Sequence, residues 1–259
     1  MKKKILGVLI ILCAVVFCYA AAQLIRIFSQ YGHNREVQEE IQGIFFQEDS
    51  EEPEEVSHSE ESMENSSEET IRIPKYDFRP LLKKNPDVRG WLLMPAASVN
   101  NAVVQAEDNE YYLHTNLYGD YEFAGTLFID YRCEENGRNT VIYGHNMLDG
   151  SMFGTIDVYL KEETGLENPS FWYLTPDQVY RCEIFSTYLT TVYEPYLRID
   201  FADDAEYLDY IEKIRGQSLY EFPEVEIGAQ DRILSLSTCN YTEVNKAGRQ
   251  VIHALMVPA

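Results

Sequence analysis

The sequence is short of positive charge, of histidine and of cysteine, and each shortage narrows what the chain can do. Lysine and arginine number 21 against 43 aspartates and glutamates, giving a formal charge of −22. Binding to phosphate backbones needs a basic surface, so this balance argues against nucleic acid as a partner. The five histidines and five cysteines show no grouping at metal-ligand spacing, and no glycine-rich phosphate loop is present, so neither a metal nor another cofactor is expected. No internal repeat stands out. Two of the cysteines, Cys13 and Cys18, fall in an apolar N-terminal run. Cys133, Cys182 and Cys239 remain, an odd number, so at least one is free or paired between chains. A Cys133–Cys182 disulfide would leave Cys239 alone.

What the sequence does have begins with that apolar run. Lys2, Lys3 and Lys4 precede Ile5 to Ala22, a stretch without charge. A helix needs roughly 20 such residues to cross the hydrocarbon core, and lysines on the N-terminal side favour keeping that end in the cytoplasm. Ala20-Ala21-Ala22 also satisfies a signal-peptidase pattern, but a cleavable apolar core usually runs only about 7–15 residues. An uncleaved anchor is the favoured reading. The expected organisation is a cytoplasmic tail at 1–4, a transmembrane signal-anchor at 5–28, a juxtamembrane segment and acidic disordered spacer at 29–69, and one domain at 70–259. Residues 23–46 can continue as a helix. The tract QEDSEEPEEVSHSEESMENSSEET that follows has almost no large apolar side chain to offset chain entropy.

The domain reads as many short strands with a few helices. Tyr76 to Lys84 is a short helix stopped before Pro86, because the residue preceding proline disfavours helical dihedrals. Strands are expected around Trp91–Met94, Val103–Val104, TLFIDYR, TVIYGHN, FWYLTP and QVYRCEIFSTYLTTVY. In DFADDAEYLDYIEKIRGQSLYEF, Tyr207, Tyr210, Ile211 and Ile214 share a face, acids crowd the start and Gly216 follows the last turn. Those are marks of an amphipathic helix. The fold class is mainly β, a closed or nearly closed barrel carrying helical excursions.

The last stretch, ILSLSTCNYTEVNKAGRQVIHALMV, reads as two strands joined by a polar turn. Alternation puts Ser235, Ser237 and Cys239 on one polar face of the first strand. A thiol needs a basic or cationic neighbour to act as a nucleophile, and a carbonyl intermediate needs a fixed donor where charge develops. Arg249, at the start of the second strand, can supply both the field and the donor. The second strand is apolar on both faces, so its pattern leaves the sidedness of Arg249 open. Among the histidines, His33 and His58 lie outside the domain, His114 reads as a surface residue and His253 as a packed strand residue. His145 follows a strand and a glycine, at the kind of loop that displays functional side chains.

Taken together, YGHNM at 143–147, LSTC at 236–239 and GR at 248–249 resemble the sortases, membrane-anchored cysteine transpeptidases of Gram-positive bacteria. NPDVRGWL, VVQAEDNEYYL and GTLFIDYR are similar to the framework of class B in the same order, and the likeness covers Tyr76 to Ala259. The resemblance implies a closed sortase-type barrel with an N-terminal helix and a long helix inserted before the cysteine strand. It implies Cys239 as nucleophile, His145 as acid and base, and Arg249 as the residue that holds substrate and stabilises the oxyanion. Ser237, Thr238, Tyr193 and Tyr196 would line the groove. The implied partners are C-terminal sorting-signal peptides and an acceptor amine, from a peptidoglycan precursor (lipid II) or a pilin lysine, at a single-pass membrane location with the domain outside. A cysteine endopeptidase using water is the rival activity, and a catalytically idle binding module the rival class. Ser235 and Asn240 depart from the residues usual in the class at those positions, and so do Asn101 and Ala102.

Overall fold

The structure, a computed structural model, describes residues 2–46, 73–223, 225–240 and 247–259; of Cys239 and Asn240 the backbone alone is described. The acidic tract expected as a spacer lies outside the described residues.

Eight strands close into a barrel. In chain order they are β1 (Val88–Met94), β2 (Val99–Val104), β3 (Leu127–Ile129), β4 (Asn139–Tyr143), β5 (Ser170–Leu174), β6 (Val179–Thr191), β7 (Ile233–Asn240) and β8 (Gly248–Pro258). Around the barrel the order is β1-β2-β3-β4-β7-β8-β6-β5, and β5 closes back onto β1. β5/β6 and β7/β8 pair antiparallel, whereas β2/β3 and β4/β7 are parallel. Parallel neighbours need a long crossover. Between β4 and β7 that crossover carries β5, β6 and two α-helices, so β7 is inserted beside β4 from far along the chain.

Among the described residues, four α-helices decorate the barrel: α1 (Lys2–Phe45), α2 (Arg79–Lys84), α3 (Glu162–Glu167) and α4 (Asp204–Arg215). α2 ends where expected, with Asn85 extended ahead of Pro86. α4 is capped at its start, Asp203 accepting from the Glu206 amide while Glu206 accepts from the Ala202 amide. All four residues expected on its apolar face, Tyr207, Tyr210, Ile211 and Ile214, are buried.

Strand alternation sorts the apolar residues into two layers. Leu234, Leu236, Ile252 and Ala254 face the barrel interior with Leu92, Val103 and Val141. Ile233 and Val251 point outward and are covered by α4 together with Phe185 and Tyr188. This explains why β8 is apolar on both faces: one meets the core and the other meets α4. The end of α1 forms a third layer. Val37, Ile41 and Phe45 are buried against the barrel, and Phe45 stacks on Trp91 with centroids 4.0 Å apart and planes 7° apart. Gln42 donates to Asn100 O at 2.8 Å, and Asn101 donates to Gln38 at 2.8 Å.

Cys133 and Cys182 are both buried free thiols, not a disulfide. Burial pushes the Cys133 thiol up to about 11, which keeps it protonated and inert.

Candidate active site

β4, β7 and β8 bring the three residues singled out in the sequence to one end of the barrel. In the parallel pair, Tyr143 stands opposite Ser237. Gly144 continues the pairing, its amide donating to Ser237 O at 3.3 Å, while Thr238 Oγ1 donates to Gly144 O at 2.8 Å. His145 stands two residues past Tyr143, as Cys239 stands two past Ser237. In the antiparallel pair, Cys239 is the register partner of Arg249. The backbone thus sets position 239 between a histidine past the end of one neighbour and an arginine on the other.

The sidedness of Arg249, open in the sequence, follows from the same register. Directly opposed residues in a sheet share a face. Two pairs along, Ser235 and His253 are partners whose side chains lie 2.7 Å apart, on the outer face. Arg249 and position 239 belong to that face. Arg249 is half-buried, and its Nη1 donates to Gly248 O at 2.8 Å.

Gly144 is required where it stands. A Cβ there would come within 2.4 Å of Leu127 and 2.7 Å of Phe153, so only glycine lets β4 run close enough to deliver His145. The ring is then held from two sides. Nε2 lies 2.9 Å from Leu113 O, and a carbonyl can only accept, so Nε2 carries the proton and Nδ1 is the basic nitrogen of the neutral ring. His114 stacks on it with centroids 5.4 Å apart. Burial pulls the His145 pKa below the ordinary imidazole value, the Leu113 carbonyl opposes this, and charge on His114 adds to the lowering. The net effect favours a neutral imidazole at neutral pH.

A cleft of about 220 Å³ runs past these groups, lined by Leu113, Tyr143, His145, Tyr196, Ser237, Thr238 and Arg249 among others. Tyr196 approaches from the segment before α4, its hydroxyl 3.3 Å from Ser237 Oγ. Three of the four expected groove residues, Ser237, Thr238 and Tyr196, are therefore in the cleft wall. Tyr193 is not. β6 ends at Thr191, the chain turns there with the Glu194 amide donating to Thr191 O, and Tyr193 is carried outward to 79% exposure.

Two contributors had no distinctive sequence signal. The Leu113 carbonyl that orients His145 is a backbone group, and His114, read as a surface residue, is its stacking partner. Beneath the site, Ser235 donates to Asn139 Oδ1 at 2.7 Å. His253 Nδ1 therefore donates to Ser235 Oγ, leaving Nε2 to accept from Tyr188 Oη at 3.1 Å. This is the packed histidine expected from the sequence.

A closed barrel with a histidine just past one strand, and a cysteine position in register with an arginine on the next two, fits a cysteine transpeptidase. No protein-family model matches the chain. It is 37% identical over 183 residues to sortase B of Listeria monocytogenes, covering 70% of this chain and 74% of that protein. The crystal structure of sortase B from Bacillus anthracis in complex with AAEK1 superposes with a TM-score of 0.72 at 36% identity, covering 90% of this chain and all (100%) of that one. A Staphylococcus aureus sortase B–substrate complex gives a TM-score of 0.66 at 29% identity, over 70% and 85% of the two chains. The chain belongs to the sortase B family, and it is a sortase cysteine transpeptidase.

Proposed function

We propose that the enzyme cleaves a C-terminal sorting signal of secreted proteins and transfers them to a cell-wall amine, through a thioacyl intermediate on Cys239. The neutral His145 takes the thiol proton, and the Cys239 sulfur attacks the scissile carbonyl. The C–N bond breaks, and the imidazolium returns its proton to the departing amine. An incoming amine then attacks the thioester and loses its proton to His145. The new amide forms as the S–C bond breaks and the thiol is restored. Arg249 donates to the oxygen on which negative charge develops at each step. Ser237, Thr238 and Tyr196 bind the signal peptide along the cleft.

The observation that carries this reading is the register: Cys239 opposite Arg249 on one side and, on the other, Tyr143 opposite Ser237, each two residues before His145 and Cys239. The substrate complex of the S. aureus relative supports a peptide signal as the substrate class. A peptidoglycan precursor (lipid II) is the acceptor we propose, and a pilin lysine offers the same amine chemistry.

The location follows from α1. It includes a stretch long and apolar enough to cross a membrane. With Lys2, Lys3 and Lys4 ahead of that stretch, the N-terminus stays in the cytoplasm and the barrel works outside.

The test is intact-mass spectrometry of residues 30–259 with a panel of sorting-signal peptides, Cys239→Ala serving as control. The lower boundary keeps the part of α1 that packs on the barrel. A Cys239 adduct discharged faster by an added amine than by water supports the transpeptidase and identifies its signal. Discharge at the same rate without amine would replace it with an endopeptidase.

A further inference from the structure

Three exposed apolar side chains sit on the loops that grip α1 just beyond its apolar stretch. Tyr121 is 67% exposed, Phe123 43% and Leu148 87%. Their loops hold the helix five and six residues past Phe28, about one and a half turns. Asn34 donates to Ser151 Oγ at 3.1 Å, and His33 lies 3.8 Å from the Glu122 carboxylate. Tyr31 lines a hollow of about 370 Å³ together with His114, Phe123, His145 and Leu148. Exposed apolar residues are ordinary when scattered. Here their depth along α1 is what distinguishes them.

That depth is set by the helix. The stretch Ile5 to Phe28 carries one charge, Arg26, in its last turn. At about 1.5 Å per residue it spans roughly 36 Å, against a hydrocarbon core of about 30 Å. Tyr31 follows three residues later, about 4.5 Å further along the axis. The headgroup layer extends roughly 5–7 Å beyond the hydrocarbon on each side. α1 is one helix through this region, and the burial of Val37, Ile41 and Phe45 fastens the barrel to it. The loops at Tyr31 therefore cannot drift away from the bilayer.

We propose that Tyr121, Phe123 and Leu148, with Tyr31, dock the barrel onto the headgroup–acyl boundary of the membrane that α1 crosses. The proposal rests on the membrane location given above. Tyrosines suit this depth, because one end of the ring is apolar and the other is wet. A modest tilt of α1, of the kind common to spanning helices, lowers the 121–123 and 148 loops into the boundary. Asp120 and Asp149 beside them are exposed, so attachment is apolar rather than electrostatic, and neither salt nor anionic lipid strengthens it. Docking has a consequence for the chemistry. Among the described residues, the hollow shares only His145 with the Arg249 cleft. An amine carried on a membrane lipid would meet His145 from that side, while the peptide lies in the cleft.

The experiment uses the full chain in phosphatidylcholine vesicles, with and without acyl chains brominated near the headgroup. Leu148→Trp places a tryptophan in the patch. Lys83→Trp places one on α2, beside Phe45 at the far end of the packed helix. Trp91 and Trp172 give the same background in both. The expected result is that brominated lipid removes most of the added fluorescence of Leu148→Trp, equally at low and high salt, and leaves Lys83→Trp unchanged. Flotation with the vesicles, but no quenching of Leu148→Trp, would overturn docking while leaving the anchor intact. Failure to float would overturn the membrane location and docking together. Concentration-dependent shielding of Leu148→Trp in detergent, without quenching in vesicles, would assign the patch to a second copy of the chain and overturn the proposal.

Discussion

His114 and His145 lie face to face, ring centroids 5.4 Å apart and planes 21° apart, so the histidine at the cleft has a second titratable ring against it. A positive charge on His114 disfavours one on His145, and burial of His145 acts in the same direction. In the proposed mechanism, the pair makes the acid side of the activity profile a property of two residues.

The acid limb of kcat/KM should therefore fall below the ordinary imidazole value of about 6.5, because the proposed reaction starts from neutral His145. His114→Gln removes the charge that opposes protonation, so the His145 pKa rises and activity is lost at a higher pH than in the wild type. Peptide-cleavage rates across the acid range compare the two proteins directly. An unshifted limb would mean that the stacked rings are electrically independent.

Arg249→Met should lower kcat by roughly 10²–10³, the usual effect of removing a single oxyanion donor. Arg249→Lys should restore little of it, since a point charge does not reproduce a planar fork. Circular dichroism and thermal melts check that both variants fold. Retention of most of the wild-type kcat in Arg249→Met would remove the arginine from the chemistry.

The buried His253 couples stability to pH. Burial lowers its pKa to about 3 in the folded chain, against about 6.5 unfolded. Between those values the unfolded state binds a proton that the folded state does not. Its contribution is full above pH 6.5 and is lost as the pH falls toward 3. From pH 7 to pH 5 the wild type should lose about 2 kcal/mol more than His253→Gln does over the same range. Denaturant unfolding at the two pH values measures the difference, and parallel losses would contradict the assignment.

Phe45 should be a principal fastener between α1 and the barrel, being fully buried (0% exposed) and stacked on Trp91 at 4.0 Å. Phe45→Ala is expected to cost about 3–5 kcal/mol, the range for deleting a packed phenylalanine. Thermal melts of residues 30–259 read this. A loss no greater than that of an exposed alanine substitution would mean that α1 rests on the barrel without stabilising it.

Local sequence carried much of the fold. The apolar face of α4, the stop before Pro86 and the strand runs of β1, β4, β5 and β6 each reflect forces that act over a few residues: side-chain periodicity, proline sterics and β-branching. The motif flanks of His145, Cys239 and Arg249 made the site legible as a set. Tyr193 and Tyr196 show the limit. Three residues apart in one loop, they read alike in sequence, yet the turn after Thr191 throws one outward while the other reaches Ser237. Residues 23–46 read as a helix but without a partner. Their packing depends on Trp91, Phe78 and Val104, which are distant along the chain.

By itself, the sequence determined which residues are candidates for the chemistry: one thiol with an arginine ten positions on, a histidine after a strand, and an apolar stretch long enough for a membrane. Tertiary structure decided how they meet. The parallel β4/β7 pairing joins His145 to the cysteine strand across more than ninety residues, and the β7/β8 register chooses the face of Arg249. β8 lacks alternation because α4 covers its outer side. Such relationships come from hydrogen-bond registers and burial between remote segments, which no local pattern encodes.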